Sequence, residues 1–112
     1  MAIKIVVSDK VGFKVKLAIN DATGKAQSFE FGLTCKRLES EVLHARIKGD
    51  GDGVVFADFM AEVILDWTAV VDADDAPVPY SESAWRALCK TPGVGKVSFD
   101  TYCREVGAKE KN

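Results

Sequence analysis

Residues 11–19 (VGFKVKLAI) alternate apolar side chains with small or basic ones, and residues 29–33 (FEFGL) repeat the alternation. A period of two is typical of a β-strand with one buried face. Residues 20–25 between them are rich in turn formers and include Gly24, a residue that can adopt positive φ. These features predict a β-hairpin. Residues 3–7 (IKIVV) are a candidate third strand of the same sheet.

The apolar period then changes to that of a helix. Thr34 is a candidate N-cap for a first helix, in which Leu38, Val42 and Ala45 follow at helical spacing. The glycine-rich residues 49–53 end this helix. A second helix is predicted from near residue 54. Its apolar spacing of i, i+3, i+4, i+7, i+8 and i+11 is formed by Phe56, Phe59, Met60, Val63, Ile64 and Trp67.

Two further helices are predicted in the last third of the chain. Ser81 or Ser83 can cap the third helix, and residues 91–93 (TPG) separate it from the fourth. The predicted fold class is α+β, with a small N-terminal antiparallel β-sheet followed by about four α-helices. The 112 residues fit a single domain, 1–112, with a β-rich part at 1–33, a helical part at 34–107 and a flexible tail at 108–112.

Composition limits the classes of function. Hydrophobic residues make up 47% and charged residues 29%, which is enough for one core in a globular domain. The 15 basic residues are scattered among 17 acidic ones, without the basic stripe that nucleic-acid binding requires. No apolar run approaches the ~20 residues of a spanning helix, and no secretory h-region begins the chain. We therefore expect a cytoplasmic protein with neither nucleic-acid nor membrane partners.

The sequence contains no recognisable catalytic, metal or cofactor site. His44 is the only histidine, and no carboxylate lies four residues before or after it. Residues 50–53 (DGDG) resemble the start of a calcium loop but lack its later ligands, and residues 93–96 (GVGK) lack the rest of a phosphate loop. The three cysteines are too widely spaced for a zinc site, and Cys35, near a predicted helix start, is the thiol to test for reactivity. We expect no enzymatic activity and no small-molecule substrate.

The second predicted helix has more apolar surface than one core contact needs. Val55 and Leu65 lie off its main stripe, and aromatic residues are frequent binding hot spots, although they more often pack in the core. We predict a partner-binding surface that would receive a helix of another protein. Its residues are Val55, Phe59, Leu65, Trp67 and Trp85.

The order of several short motifs resembles a known protein family. The hairpin is followed by residues 34–38 (TCKRL), by Asp66-Trp67 at the end of an apolar helical pattern, and by residues 77–81 (PVPYS). Helices with Leu88 and Tyr102 come next. This order resembles the tail assembly chaperones of siphophages, over nearly the whole chain. One departure is Ala69, where the family pattern after the tryptophan has glycine.

The resemblance implies a non-enzymatic role in the cytoplasm of the phage host. Such chaperones bind the helical tape measure protein, keep it soluble and help to recruit tail tube subunits, and they are not expected in the mature virion. The alternative is a structural tail completion or head–tail connector protein, since such proteins are also small α+β chains, which assemble into rings. A connector would be found in purified particles, whereas a chaperone would not. The sequence leaves open whether the chain forms a homo-oligomer.

Overall fold

The structure, a computed structural model, describes residues 2–3, 5, 8–50 and 56–109, with the backbone alone for residues 48–50. Strands β1 (Lys10–Asn20) and β2 (Ala26–Lys36) come first, followed by helices α1 (Ser40–Asp50) and α2 (Phe56–Val63), strand β3 (Ile64–Thr68), and helices α3 (Glu82–Leu88) and α4 (Val94–Val106). The strands form one antiparallel sheet in the order β1-β2-β3. The predicted α+β class is confirmed.

The predicted hairpin is present, and its alternation places one face of the sheet in the core. Val15 pairs with Phe31 and is completely buried. In the connecting turn Gly24 has a φ of 85°. The Asp21 carboxylate accepts hydrogen bonds from the Thr23 hydroxyl (2.6 Å) and the Thr23 backbone N–H (2.8 Å). Because these bonds stabilise the charged form, they hold the pKa of Asp21 at about 2.

The third strand is not the one predicted from the N-terminus. Residues 3 and 5 of the predicted strand 3–7 are outside any strand. Residues 4, 6 and 7 lie outside the described part of the chain. The third strand is Ile64–Thr68, which the sequence placed at the end of the second helix. A register shift between Thr34 and Cys35 of β2 lets both Ile64 and Trp67 face the core. This i, i+3 burial has the same spacing as a buried helical face, so the apolar pattern predicts a helix where the structure has a strand.

The chain turns sharply after β3. Ala69 has a φ of 62°, in the left-handed region, which is the position where the family pattern has glycine. The chain then folds back, and the Val78 N–H donates to the carbonyl oxygen of Val70 (2.9 Å). Trp67 closes the fold-back segment, because its ring contacts Tyr80 edge-on at 5.1 Å. Contacts between Trp67 and residues 77–81 therefore hold the fold-back segment against β3.

The helix ends were predicted with mixed success. Thr34 does not cap a helix, because β2 continues to Lys36 and α1 begins only at Ser40. Ser81 caps α3 as predicted, since its hydroxyl accepts the Ala84 N–H at 3.1 Å. Gly93, with a φ of 93°, is the N-cap residue of α4. α4 packs on the inner face of β1, where Tyr102 contacts the ring of Phe13.

Candidate partner-binding site

Three of the five predicted partner-binding residues belong to the core. Phe59 is 2% exposed, Trp67 is 7% exposed and Trp85 is completely buried. Leu65 is 39% exposed, and Val55 lies outside the described residues. The prediction that Phe59, Trp67 and Trp85 form an accessible surface is therefore wrong.

The physical reason is that each of these aromatic side chains has its partners within the chain. The indole N–H of Trp67 donates to the carbonyl oxygen of Val78 at 2.7 Å, and that of Trp85 donates to Ala57 at 2.9 Å. Buried indoles normally need such a partner. Phe59 packs edge-on against two aromatic rings of α4. Phe59, Trp67 and Trp85 therefore belong to the core, whereas Leu65, off the main stripe, is exposed.

Exposed apolar surface lies on α1 instead. None of its described side chains, at residues 40–47, is buried. Val42 is 48% exposed and Ile47 is 39% exposed, while Leu43 is partly buried. A helix of 11 residues is marginal by itself in water, because nucleation is unfavourable and short helices depend on packing. α1 therefore receives little of the stabilisation that a buried apolar stripe gives to a helix.

A groove of about 640 Å³ lies between the start of α1 and the end of α4. Leu38 and Leu43 contribute apolar side chains from one side, and Val106 and Ala108 line the other. The remaining lining residues are Ile5, Ser8, Asp9, Arg37, Glu39, Ser40 and Gly107. Pockets that bind ligands fall in the same range of volume and are mostly apolar with a few polar groups.

Hydrogen bonds hold the segment that forms the wall of this groove. The Tyr102 hydroxyl donates to the carbonyl oxygen of Lys36 (2.8 Å) and accepts the N–H of Leu38 (3.3 Å). Burial raises the pKa of Tyr102, so the hydroxyl remains a donor. The Arg37 guanidinium donates to the carbonyl oxygens of Ser8 (2.9 Å) and Val106. Its positive charge at the end of α4 also complements the helix dipole. This wall is therefore held in place by hydrogen bonds to α4 and to Ser8.

α1 is attached to α2 through Arg46. Its guanidinium forms an ion pair with Glu62 and lies 5.5 Å from the centre of the Phe59 ring. Exposed ion pairs and cation–π contacts each contribute at most about 1 kcal/mol. Arg46 and the partly buried Leu43, which packs against the core, thus position α1 beside the groove.

The thiols of the chain are poor nucleophiles. Cys35 lies in β2 and is completely buried, and burial raises its pKa to about 12. Burial also raises the pKa of Cys89 to about 11 and that of Cys103 above its ordinary value. The expectation that Cys35 lies near a helix start, where a thiol is activated, is wrong because β2 extends past it.

Other chemistry has little support among the residues that the structure describes. His44 is exposed on α1. Nowhere in residues 2–3, 5, 8–50 and 56–109 do three His, Cys, Asp or Glu side chains cluster as a metal site would require. Within the same residues, no helix combines the length and the hydropathy needed to cross a bilayer.

Sequence reasoning missed the α1 groove. The sequence did contain a signal for an exposed helix face, because Val42 and Ala45 of the first predicted helix have no clear apolar surface to pack against. The apolar periodicity of residues 56–67 was stronger, and it determined the predicted site. Comparison of the chain with protein-family models, with curated proteins and with solved structures finds no match.

Proposed function

We propose that this chain is a non-enzymatic phage tail assembly chaperone that binds a helix of the tape measure protein in the groove between α1 and α4. The observation that carries the proposal is α1, an 11-residue helix without a buried side chain among residues 40–47, which borders that groove. An amphipathic partner helix would contact Leu43 in the groove and would extend over Val42 and Ile47 on the exposed surface of α1 beside it. The motif order described above supports the choice of partner.

The expected affinity is modest. Val42 is 48% exposed, and burying the rest of a valine side chain contributes about 1 kcal/mol. Ile47 and Leu43 add similar amounts, and ordering the two helices opposes part of this gain. Reversible binding suits a chaperone, because it must leave the tape measure protein when tube subunits assemble around it. The proposal places the protein in the host cytoplasm and not in the finished virion.

Co-expression with a tape measure protein from the same tail gene cluster tests the proposal. The wild-type chain is expected to keep that protein in the soluble fraction. The substitutions Val42→Ser and Ile47→Ser should each weaken the complex about five-fold, because each removes roughly 1 kcal/mol of apolar burial. Serine and these β-branched residues have similar helix propensities, so α1 itself is little affected.

Val71→Ser is the matched control, since Val71 is 50% exposed but lies in the loop after β3. This variant should solubilise the tape measure protein as well as the wild-type chain does. Full solubilisation by a double Val42→Ser, Ile47→Ser variant would refute the α1 site. Recovery of the chain in purified tails in fixed proportion would instead favour the connector role.

A further inference from the structure

The two edges of the sheet carry opposite charges. Residues 10–36 contain five lysines and two carboxylates, which gives the hairpin a net charge of +3 although the whole chain has −2. Residues 56–85 contain seven carboxylates and no lysine or arginine, and the three on α2 and α3 pair with Arg46 or Arg86. The other four, Asp66, Asp72, Asp74 and Asp75, belong to β3 and the loop after it. Because the strand order is β1-β2-β3, the basic strand β1 and the acidic β3 lie at opposite edges.

On the basic edge, Lys14 and Lys16 differ in their ion pairs. Lys14 forms the ion pair with Glu30, at 3.4 Å. Lys16 lies directly opposite Glu30 in the β1–β2 register but makes no ion pair with any residue that the structure describes. Both lysines are exposed and line the same side of β1. The carboxylates of α4 that line the same surface, Asp100 and Glu105, pair with Lys96 and Lys109, so this edge presents positive charge.

On the acidic edge, the loop after β3 has two free carboxylates. The Asp72 carboxylate accepts the backbone N–H groups of Asp74 (2.8 Å) and Ala76 (3.1 Å), so it is part of the turn. Asp74 and Asp75 are exposed and form no ion pair within the described part of the chain. Asp66 on β3 is exposed as well. Negative charge therefore accumulates where the sheet ends.

Exposed apolar side chains accompany both charged edges. Ile19 is 37% and Phe29 50% exposed at the end of the hairpin, while Leu65 is 39% and Val71 50% exposed on the β3 side. The hairpin end is uncovered because an 11-residue strand is about 36 Å long, whereas the 13 residues of α4 span only about 20 Å. Each edge thus combines apolar contact area with charge of one sign.

We infer that copies of this chain associate head to tail, with the basic β1 edge and hairpin end of one copy against the acidic β3 edge and its loop in the next. A two-fold symmetric contact between β1 edges would place Lys14 and Lys16 of both copies against each other, which is unfavourable. A heterologous contact joins two different surfaces, so each copy can bind a further copy and the association produces rings or chains. The α1 groove takes no part in this contact, so the inference is independent of the proposed function.

Sedimentation of the purified chain over a range of concentrations tests this association. The average mass should rise with concentration, and it should rise less at 0.5 M salt, where charges are screened over a few ångströms. Lys16→Glu and Asp74→Lys should each weaken self-association at least about ten-fold, because each places like charges in the contact. Lys90→Glu is the control for Lys16→Glu, since it makes the same change in net charge at an exposed position outside both edges.

A mixture of the two variants separates head-to-tail association from other modes. The Lys16→Glu chain keeps an intact acidic edge and the Asp74→Lys chain keeps an intact basic edge, and the two altered edges also carry opposite charges, so the mixture should associate although neither variant does so alone. Association of the mixture also shows that both variants are folded. The inference is overturned if the wild-type chain stays monomeric at all concentrations, if either variant associates as the wild type does, or if the mixture remains monomeric.

Discussion

Ala69 has a left-handed backbone conformation, with a φ of 62°, and replacing it by glycine should stabilise the protein. The left-handed region costs a residue with a Cβ roughly 1–2 kcal/mol. Glycine removes that strain but increases the conformational entropy of the unfolded chain, which reduces the gain by about 0.4–1 kcal/mol. Ala69 is exposed, so loss of its methyl group leaves no cavity. The free energy of unfolding of Ala69→Gly should therefore increase by about 0.5–1 kcal/mol.

Urea unfolding of the two proteins measures this difference as a shift of the transition midpoint at constant slope. Ala22→Gly is the matched control, because Ala22 is also exposed but its φ is not in the left-handed region. That substitution should lower the free energy of unfolding by about 0.5–1 kcal/mol through the unfolded state alone. If Ala69→Gly were as destabilising as Ala22→Gly, the turn after β3 would not have the conformation described.

Three further predictions concern single side chains. The pKa of Asp21 falls from 3.8 to about 2 on folding, so its stabilising effect is complete above pH 4 and is lost as the pH falls toward 2. Asp21→Asn should therefore flatten the dependence of the free energy of unfolding on pH in that window. An unchanged dependence would contradict the turn geometry. The hydroxyl of Ser98 is buried with no hydrogen-bond partner among the described residues, so Ser98→Ala should raise the free energy of unfolding by about 1 kcal/mol. A clear decrease of this free energy, measured by thermal or urea unfolding, would show that the hydroxyl has a hydrogen-bond partner. Cys35 should resist iodoacetamide in the native protein and react only on unfolding, while the partly exposed Cys103 reacts earlier; mass spectrometry of the native protein showing Cys35 alkylated first would refute its burial.

The hairpin could be predicted because strand periodicity records burial directly. Each apolar residue from Val11 to Leu17 faces the core or its margin, and the turn at residues 20–25 sets the register. The same pattern could not show where burial stops. Ile19 and Phe29 continue the alternation but remain exposed, because coverage depends on the length of α4 and not on the strand itself.

The second helix shows why periodicity alone misplaces an element. Ile64 and Trp67 follow Phe59 and Met60 at helical spacing, yet they belong to a strand. The open side of β2 needs a hydrogen-bonding partner, and β3 supplies it. That requirement comes from a strand about thirty residues earlier in the chain, so no local window contains it.

The candidate site depended even more on tertiary structure. The aromatic residues chosen from the sequence became core, whereas α1, with its weak apolar pattern, was left exposed. The charge of each residue was readable from the sequence. The opposition of a basic and an acidic sheet edge was not, because it follows from the strand order β1-β2-β3.

Hydrogen exchange of the α1 amides tests most directly whether a partner helix completes this protein. In the free chain the amides of α1 should exchange much faster than those of α4, because α1 buries no described side chain and opens locally at little cost. Addition of a helical tape measure fragment that binds the chain should slow exchange in α1 by about ten-fold or more. Slow exchange of α1 without a partner, or exchange that is unchanged in the complex, would contradict the proposed role of the groove.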